Sequence, residues 1–410
     1  MGGGIEPAKI VQDRLYARGL ILLGSDEPLV FVSVEWCEIR NDALAAWREG
    51  LAAAVATHPS RVLLSSVHVH DAPIADLSAE RLLRASQAKG SVCDLSFHEE
   101  IVRRVSRTAK DSLKTAKRFT HIGTGQAEVQ NIASNRRYLL PDGKPSYDRM
   151  SANRNVIARE AEAGTIDPNL RTLSFWDGDR ALVAVHSYAT HPMSYYGRGT
   201  VSADFPGIAL AKLQASNPGT THIYASGCSG NVTAGKWNDG APENRARLAE
   251  RLHGAMEQAW QSTARHPVTT LQFRSTPLRL TPRSGPSFTA EDLSRRLATD
   301  PKPFGQCLAA LGLSWRHHAG LDNTLDVPVL SFQSAQLLLL PAESYVEYQL
   351  FAQSLRPDRF VLTCGYGECG PGYIPIERAW EESDSNLNDW CWIAPGSEAV
   401  MKRAIRAAIG

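Results

Sequence analysis

The apolar positions of this chain fall into two alternating periods. Runs with period two, or nearly continuous apolar runs, predict strands at 16–23, 29–36, 61–69, 119–129, 170–176, 180–188, 221–225, 327–340 and 359–364. Between them, apolar residues at helical spacing predict helices at about 41–58, 97–117, 206–215, 244–264 and 397–408. The 61–69 run is apolar almost throughout, as expected of a strand buried on both faces. Asp177-Gly178-Asp179, between two strand patterns, is a hairpin signal. Segment 135–165 is polar and irregular. Segment 286–325 is a helical excursion with a capping-type start near Ser287, punctuated by Pro301 and Pro303. With no internal repeat or low-complexity linker, the alternation predicts one large α/β domain over 1–410, with mixed β-sheets flanked by helices.

Composition removes several function classes. The 44 basic and 43 acidic residues leave a formal net charge of +1 and no like-charge block. Neither nucleic acid nor an acidic membrane surface has an electrostatic claim on such a chain. The longest apolar stretches, such as Leu337-Leu338-Leu339-Leu340, are far too short for a transmembrane segment. The opening Met1-Gly2-Gly3-Gly4-Ile5 lacks a signal-peptide pattern. Seven cysteines form no zinc-ribbon or C-x-x-C spacing, and their odd number argues against a full disulfide framework. Cys364 and Cys369 could pair in an oxidising compartment, although reduced thiols fit the count better. The expected partner is a small-molecule or lipid-like substrate, and the sequence does not indicate an oligomeric state.

The candidate chemistry lies at strand ends, where α/β sheets usually place it. The 61–69 run closes in Val67-His68-Val69-His70-Asp71-Ala72-Pro73. Alternate strand residues share a face, so His68 and His70 are expected to point at one spot. His191, in Tyr188-Ala189-Thr190-His191-Pro192, offers another imidazole to a divalent metal. An open zinc site of this kind makes water nucleophilic near neutral pH. The plain alternative is two strand histidines, one solvated and one hydrogen-bonded. Glu343, Tyr373 at the end of the glycine-rich loop 365–373, and Ser229 in Gly227-Cys228-Ser229-Gly230-Asn231 also follow predicted strands. Their plain readings are a carboxylate at a helix N-terminus, a packed aromatic and a turn residue. His317 and His318 diverge on a predicted helix and are expected at the surface.

Further segments complete an ordered set: Asp13-Arg14-Leu15-Tyr16-Ala17-Arg18, Asn135-Arg136, Ala189-Thr190-His191-Pro192-Met193-Ser194, Ser202-Ala203-Asp204-Phe205-Pro206-Gly207, Pro341-Ala342-Glu343 and Gly372-Tyr373-Ile374-Pro375. Together with the His68/His70 segment, this set resembles the catalytic domain of the neutral/alkaline (non-lysosomal) ceramidase family and its bacterial relatives, over about 8–408. The family counterparts are T-H-T-H-S-G-P, N-R-S, A-T-H-G-T-S, S-x-D-x-x-G, P-G-E and G-Y-V-T-T-P. The resemblance implies Zn2+ held by His68, His191, Glu343 and Tyr373. The His68/His70 choice stays open, with His68 assigned to the metal and His70 to substrate contact or proton transfer. It also places Arg136 and Ser229 near the scissile group, where Arg136 or backbone N–H groups around Ser229 would stabilise an oxyanion.

The activity implied is a zinc-dependent hydrolase cleaving an amide (N-acyl) bond by attack of metal-bound water. The alternatives are an ester or carbohydrate-linked group on the same fold, or a non-catalytic relic. The chain departs from the family in several places. Gly227-Cys228-Ser229-Gly230-Asn231 stands for G-D-x-S-P-N, and Trp380 stands where tyrosine is expected. The first family strand, D-I-T-P, and the immunoglobulin-like C-terminal domain have no counterpart. The N-terminus therefore looks truncated, which leaves localisation open and a secreted or periplasmic protein among the options.

Overall fold

The strand Leu29–Val34 shows how the apolar pattern is used. Leu29 and Phe31 enter one core with Leu63, while Val30, Val32 and Val34 enter another with Val62 and Leu64. A strand needs apolar side chains on both faces only when both faces are covered. In this computed structural model, which describes residues 7–24, 26–321 and 324–410, that holds for every main sheet. The opening Met1-Gly2-Gly3-Gly4-Ile5 lies outside the described residues.

Three sheets carry the fold. One runs Ala17–Leu22, Leu29–Val34, Val62–Ser66, with the second pair parallel. The second runs Thr221–Ser226, Arg180–Tyr188, Asn169–Asp177, His121–Glu128, Ala264–Pro267. The third runs Leu271–Leu278, Leu325–Phe332, Ala335–Leu339, Phe360–Cys364. Phe31 and Leu63 of the first, Phe175, Val185 and Ile223 of the second, and Phe332, Leu337 and Leu362 of the third share one inner core. The opposite faces carry helices. Asn41–Val55 covers the first sheet, and Asp204–Ser216 with Glu243–Gln261 covers the second. Pro303–Gly320 and Ser397–Ile409 lie over the third. The expected α/β class of mixed sheets flanked by helices is the one observed.

Local expectations hold unevenly. The hairpin pairs Asn169–Asp177 with Arg180–Tyr188 around the predicted turn. The excursion consists of helices Ala290–Thr299 and Pro303–Gly320, with His317 exposed and His318 half-buried. The single strand expected at 327–340 is instead two antiparallel strands, Leu325–Phe332 and Ala335–Leu339, turning at Gln333 and Ser334. The run reads as continuous because both strands are buried on both faces. The strand expected at 61–69 stops at Ser66, and His68 adopts a left-handed backbone, φ 69°. Strand alternation therefore does not bring His68 and His70 together. Strands Ala264–Pro267 and Leu271–Leu278 escaped the sequence pattern. All seven cysteines are free thiols, so Cys364 and Cys369 do not pair. No helix among the described residues is long and apolar enough to cross a membrane.

Candidate metal centre and its chamber

In three parallel pairs (Leu29–Val34 with Val62–Ser66, Arg180–Tyr188 with Thr221–Ser226, Ala335–Leu339 with Phe360–Cys364) one strand of each ends just before a predicted site residue. His68 follows Val62–Ser66 of the first sheet, His191 follows Arg180–Tyr188 of the second, and Glu343 follows Ala335–Leu339 of the third. The three side chains meet. His68 Nε2 lies 3.2 Å from His191 Nε2, and Glu343 Oε2 lies 3.4 Å and 3.3 Å from those two nitrogens. All three residues are buried.

Hydrogen bonds fix what this triangle presents. His68 Nδ1 donates to the Cys37 carbonyl (2.9 Å), and His191 Nδ1 donates to the Ser229 carbonyl (2.8 Å). A carbonyl only accepts, so both Nδ1 atoms carry hydrogens and both neutral rings turn an Nε2 lone pair inward. Two lone pairs and a carboxylate oxygen face one another at 3.2–3.4 Å, too close for a water between them. Such a focus draws a positive charge. Burial opposes charge on His68, yet Cys37 and then Glu343 beside it lift its imidazole well above its usual range. Burial would likewise raise the Glu343 carboxyl, but the neighbouring imidazoles hold it well below the usual carboxylate range. A proton answers that demand, and so does a metal ion. Carbonyl-bound Nδ1 atoms are the usual second layer around metal-ligating histidines. The residues fit a divalent cation.

The other predicted residues surround this triangle. Tyr373 sits opposite Glu343 in the parallel bridge Glu343–Ser344 with Tyr373–Ile374. Its hydroxyl accepts from Arg136 Nη1 at 2.7 Å, and Arg136 Nη2 donates to His191 Nε2 at 3.3 Å. The His70 ring stands 4.8 Å from that of His68 and 5.5 Å from that of His191. Burial, then the charges of the other two histidines, hold His70 well below its usual pKa. His70 Nε2 and Arg136 Nε are buried without hydrogen-bond partners. Ser229 is turned elsewhere: its hydroxyl bonds Tyr366 Oη at 2.7 Å, and its carbonyl orients His191. The N–H groups of Cys228 and Gly230, beside it, are spent on Gln349 Oε1 and the Ser344 carbonyl.

Sequence reasoning missed three neighbours. Tyr366 stacks on His68 at 4.3 Å with rings inclined by 19°. Cys37 supplies the carbonyl for His68, and its Sγ lies 3.9 Å from His68 Nδ1. Arg245, on Glu243–Gln261, ties the two histidine loops together. It reaches Asp71 Oδ2 (3.4 Å), Asp204 Oδ2 (3.2 Å), Ser194 Oγ (2.8 Å) and Ser202 Oγ (3.1 Å). The one signal in the sequence was the proximity of Asp71 to His70 and of Ser194 to His191. Above the triangle opens a chamber of about 350 Å³, lined by His68, His70, Arg136, Glu343 and Tyr373, with Met150, Met193, Tyr196, Phe304 and Trp390 among its other walls.

No protein-family model matches the chain, and no curated protein matches it in sequence. Among solved structures it is similar to the neutral ceramidase from Pseudomonas aeruginosa, with 17% identity and a TM-score of 0.69, covering 100% of this chain and 72% of that one. It is similar also to a ceramidase complexed with C2, with 18% identity and a TM-score of 0.68, covering 100% of this chain and 73% of that one. At such identity the likeness is one of fold, and function must be argued from the site.

Proposed function

We propose that this chain is a zinc-dependent hydrolase that cleaves an N-acyl (amide) bond in a small or lipid-like substrate. The observation that carries the reading is the triangle of His68 Nε2, His191 Nε2 and Glu343 Oε2, closed to 3.2–3.4 Å with both Nδ1 atoms held by carbonyls. Two imidazoles and a carboxylate are a ligand set of catalytic zinc, and Tyr373 stands beside them as a further oxygen donor. Bound there, zinc would polarise a carbonyl and lower the pKa of a water molecule.

The chain's own residues supply the rest. Arg136 keeps the Tyr373 hydroxyl in place through Nη1, and its guanidinium would hold negative charge developing on the acyl oxygen. His70, held neutral with Nε2 unpartnered at the chamber wall, would take a proton from the attacking water and pass it to the departing amine nitrogen. Ser229 would act through its carbonyl, fixing the ring of His191. The likeness in fold to two ceramidases supports an amide as the scissile group.

Metal analysis and a substrate panel test the proposal together. The expected result is about one zinc per chain, with N-acyl hydrolysis lost on chelation and restored by zinc. Protein that binds no zinc, or hydrolysis confined to O-acyl esters, would overturn it.

A further inference from the structure

The chamber above the triangle is small, and an exposed aromatic side chain stands at its rim. Its volume of about 350 Å³ lies near the lower end of the range for ligand sites, ~300–1,000 Å³. A site of that size covers the amide group and the start of an acyl chain, and the rest of a long chain, which spans a leaflet of ~15 Å, runs on past its rim.

A second cavity, of about 700 Å³, lies next door and is lined by Arg295, Arg296, Lys302 and Leu308 among others. Phe304 and Asp389 line both cavities. The Phe304 ring is stacked on Trp390, with centroids 6.4 Å apart and planes inclined by 12°. Phe304 stands in the first turn of Pro303–Gly320, where Pro301 and Pro303 stiffen the approach. The helix itself is anchored through Cys307, Leu308, Leu311 and Trp315 in the core beneath the third sheet. The ring is therefore a firmly mounted partition between two spaces.

We propose that Phe304, braced by Trp390, is a specificity-determining residue that sets how many carbons of an acyl chain gain from binding. The inference rests on the hydrolase reading only in taking the chamber as the acyl site. Each methylene buried in the chamber strengthens binding by up to about fourfold, and methylenes left in water add nothing. Binding should therefore climb with chain length and then level once the chamber is full.

The test uses zinc-supplied protein and straight-chain carboxylates from two to sixteen carbons, with Kd read by calorimetry. Carboxylates represent the acyl product and probe the chamber whether or not an amide is the bond cleaved. For the native chain, Kd should tighten over the first several carbons and then stay constant. Phe304→Ala should move the levelling point to longer chains, and Phe304→Leu should move it part of the way. Phe304 is 40% exposed, so both variants should keep the native unfolding temperature within a few degrees. Kd that tightens without break to sixteen carbons, an unchanged levelling point in both variants, or no binding at any length would each overturn the proposal. A parallel set of N-acyl amino alcohols separates the two readings. Inert amides beside the expected carboxylate pattern would reject the amide hydrolase and leave the role of Phe304 standing.

Discussion

Two pairs of buried histidines sit in this protein, and they behave in opposite ways. His186 and His222 lie stacked on the second sheet, with ring centroids 5.2 Å apart. The Thr172 hydroxyl meets His186 Nδ1 at 2.8 Å, and His186 Nε2 meets His222 Nδ1 at 2.9 Å. One proton per contact completes that chain, and burial keeps both rings below their usual pKa. His68 and His191 also approach closely, but carbonyls take their Nδ1 hydrogens, and the remaining lone pairs meet each other, a carboxylate and, at His191, Arg136 Nη2. The first pair bonds ring to ring and leaves only His222 Nε2 without a partner, whereas the second gathers lone pairs and a carboxylate that together draw a cation. Burial and closeness are common to both, so neither identifies a ligand set. The direction of the spare lone pairs does.

The largest expected effect tests that difference directly. His191→Ala should abolish zinc binding and lower N-acyl hydrolysis about a thousandfold, equivalent to roughly 4 kcal/mol of transition-state stabilisation. His186→Asn should leave zinc content intact and cost about 1–3 kcal/mol of stability, from a broken buried hydrogen bond. Metal analysis and denaturant unfolding of both variants check this. Equal zinc loss in the two would erase the distinction.

A second test concerns Arg245, whose guanidinium joins the loop after His70 to the loop after His191. Arg245→Met leaves Asp71 and Asp204 buried without their cation, and stability should fall by about 3–5 kcal/mol. Zinc affinity should fall about tenfold to a hundredfold as the ligands lose their support. Arg245→Lys restores charge without the fork and should recover only part of both. Unfolding curves and zinc titration read the two effects. An unchanged zinc affinity would confine Arg245 to stability.

A third test turns to the His186/His222 pair and needs no metal. Burial lowers His222 from its ordinary 6.5 to about 4, so between these values the unfolded chain holds a proton that the folded chain lacks. Stability is complete above about pH 6.5 and declines as pH falls toward 4, by up to ~1.4 kcal/mol per pH unit. Replacing His222 by Gln should remove that one proton's share of the slope in unfolding measured from pH 7 to 4, leaving the shares of the other buried histidines.

Much of the proposed centre was legible because its members punctuate the apolar runs. His68, His191, Glu343 and Tyr373 each stand just past a strand or within its following loop, and parallel pairing brings such ends together. Position relative to strands survives small errors in strand limits. The reason given for the His68/His70 pairing did not survive, since His68 lies beyond the strand with a left-handed backbone that periodicity does not signal. Ser229 stands in the right loop, yet its hydroxyl is directed to Tyr366, a partner 137 residues away. Tyr366, Cys37 and Arg245 went unnoticed for the same reason. Each acts across a long separation, and nothing local in the sequence marks an aromatic that stacks on a ligand or a carbonyl that orients one. The break at Gln333 and Ser334 was hidden because neither residue is a glycine or proline.

The origins of His68, His191 and Glu343 in three different sheets carry a mechanical consequence. An ion gripped by all three would cross-link segments remote along the chain, 123 residues apart for the two histidines alone. Closing loops of that size restricts the unfolded chain far more than the folded one. The group proposed to serve chemistry would then also rivet the ends of the sheets together, and the protein's resistance to heat would report how much of it is loaded.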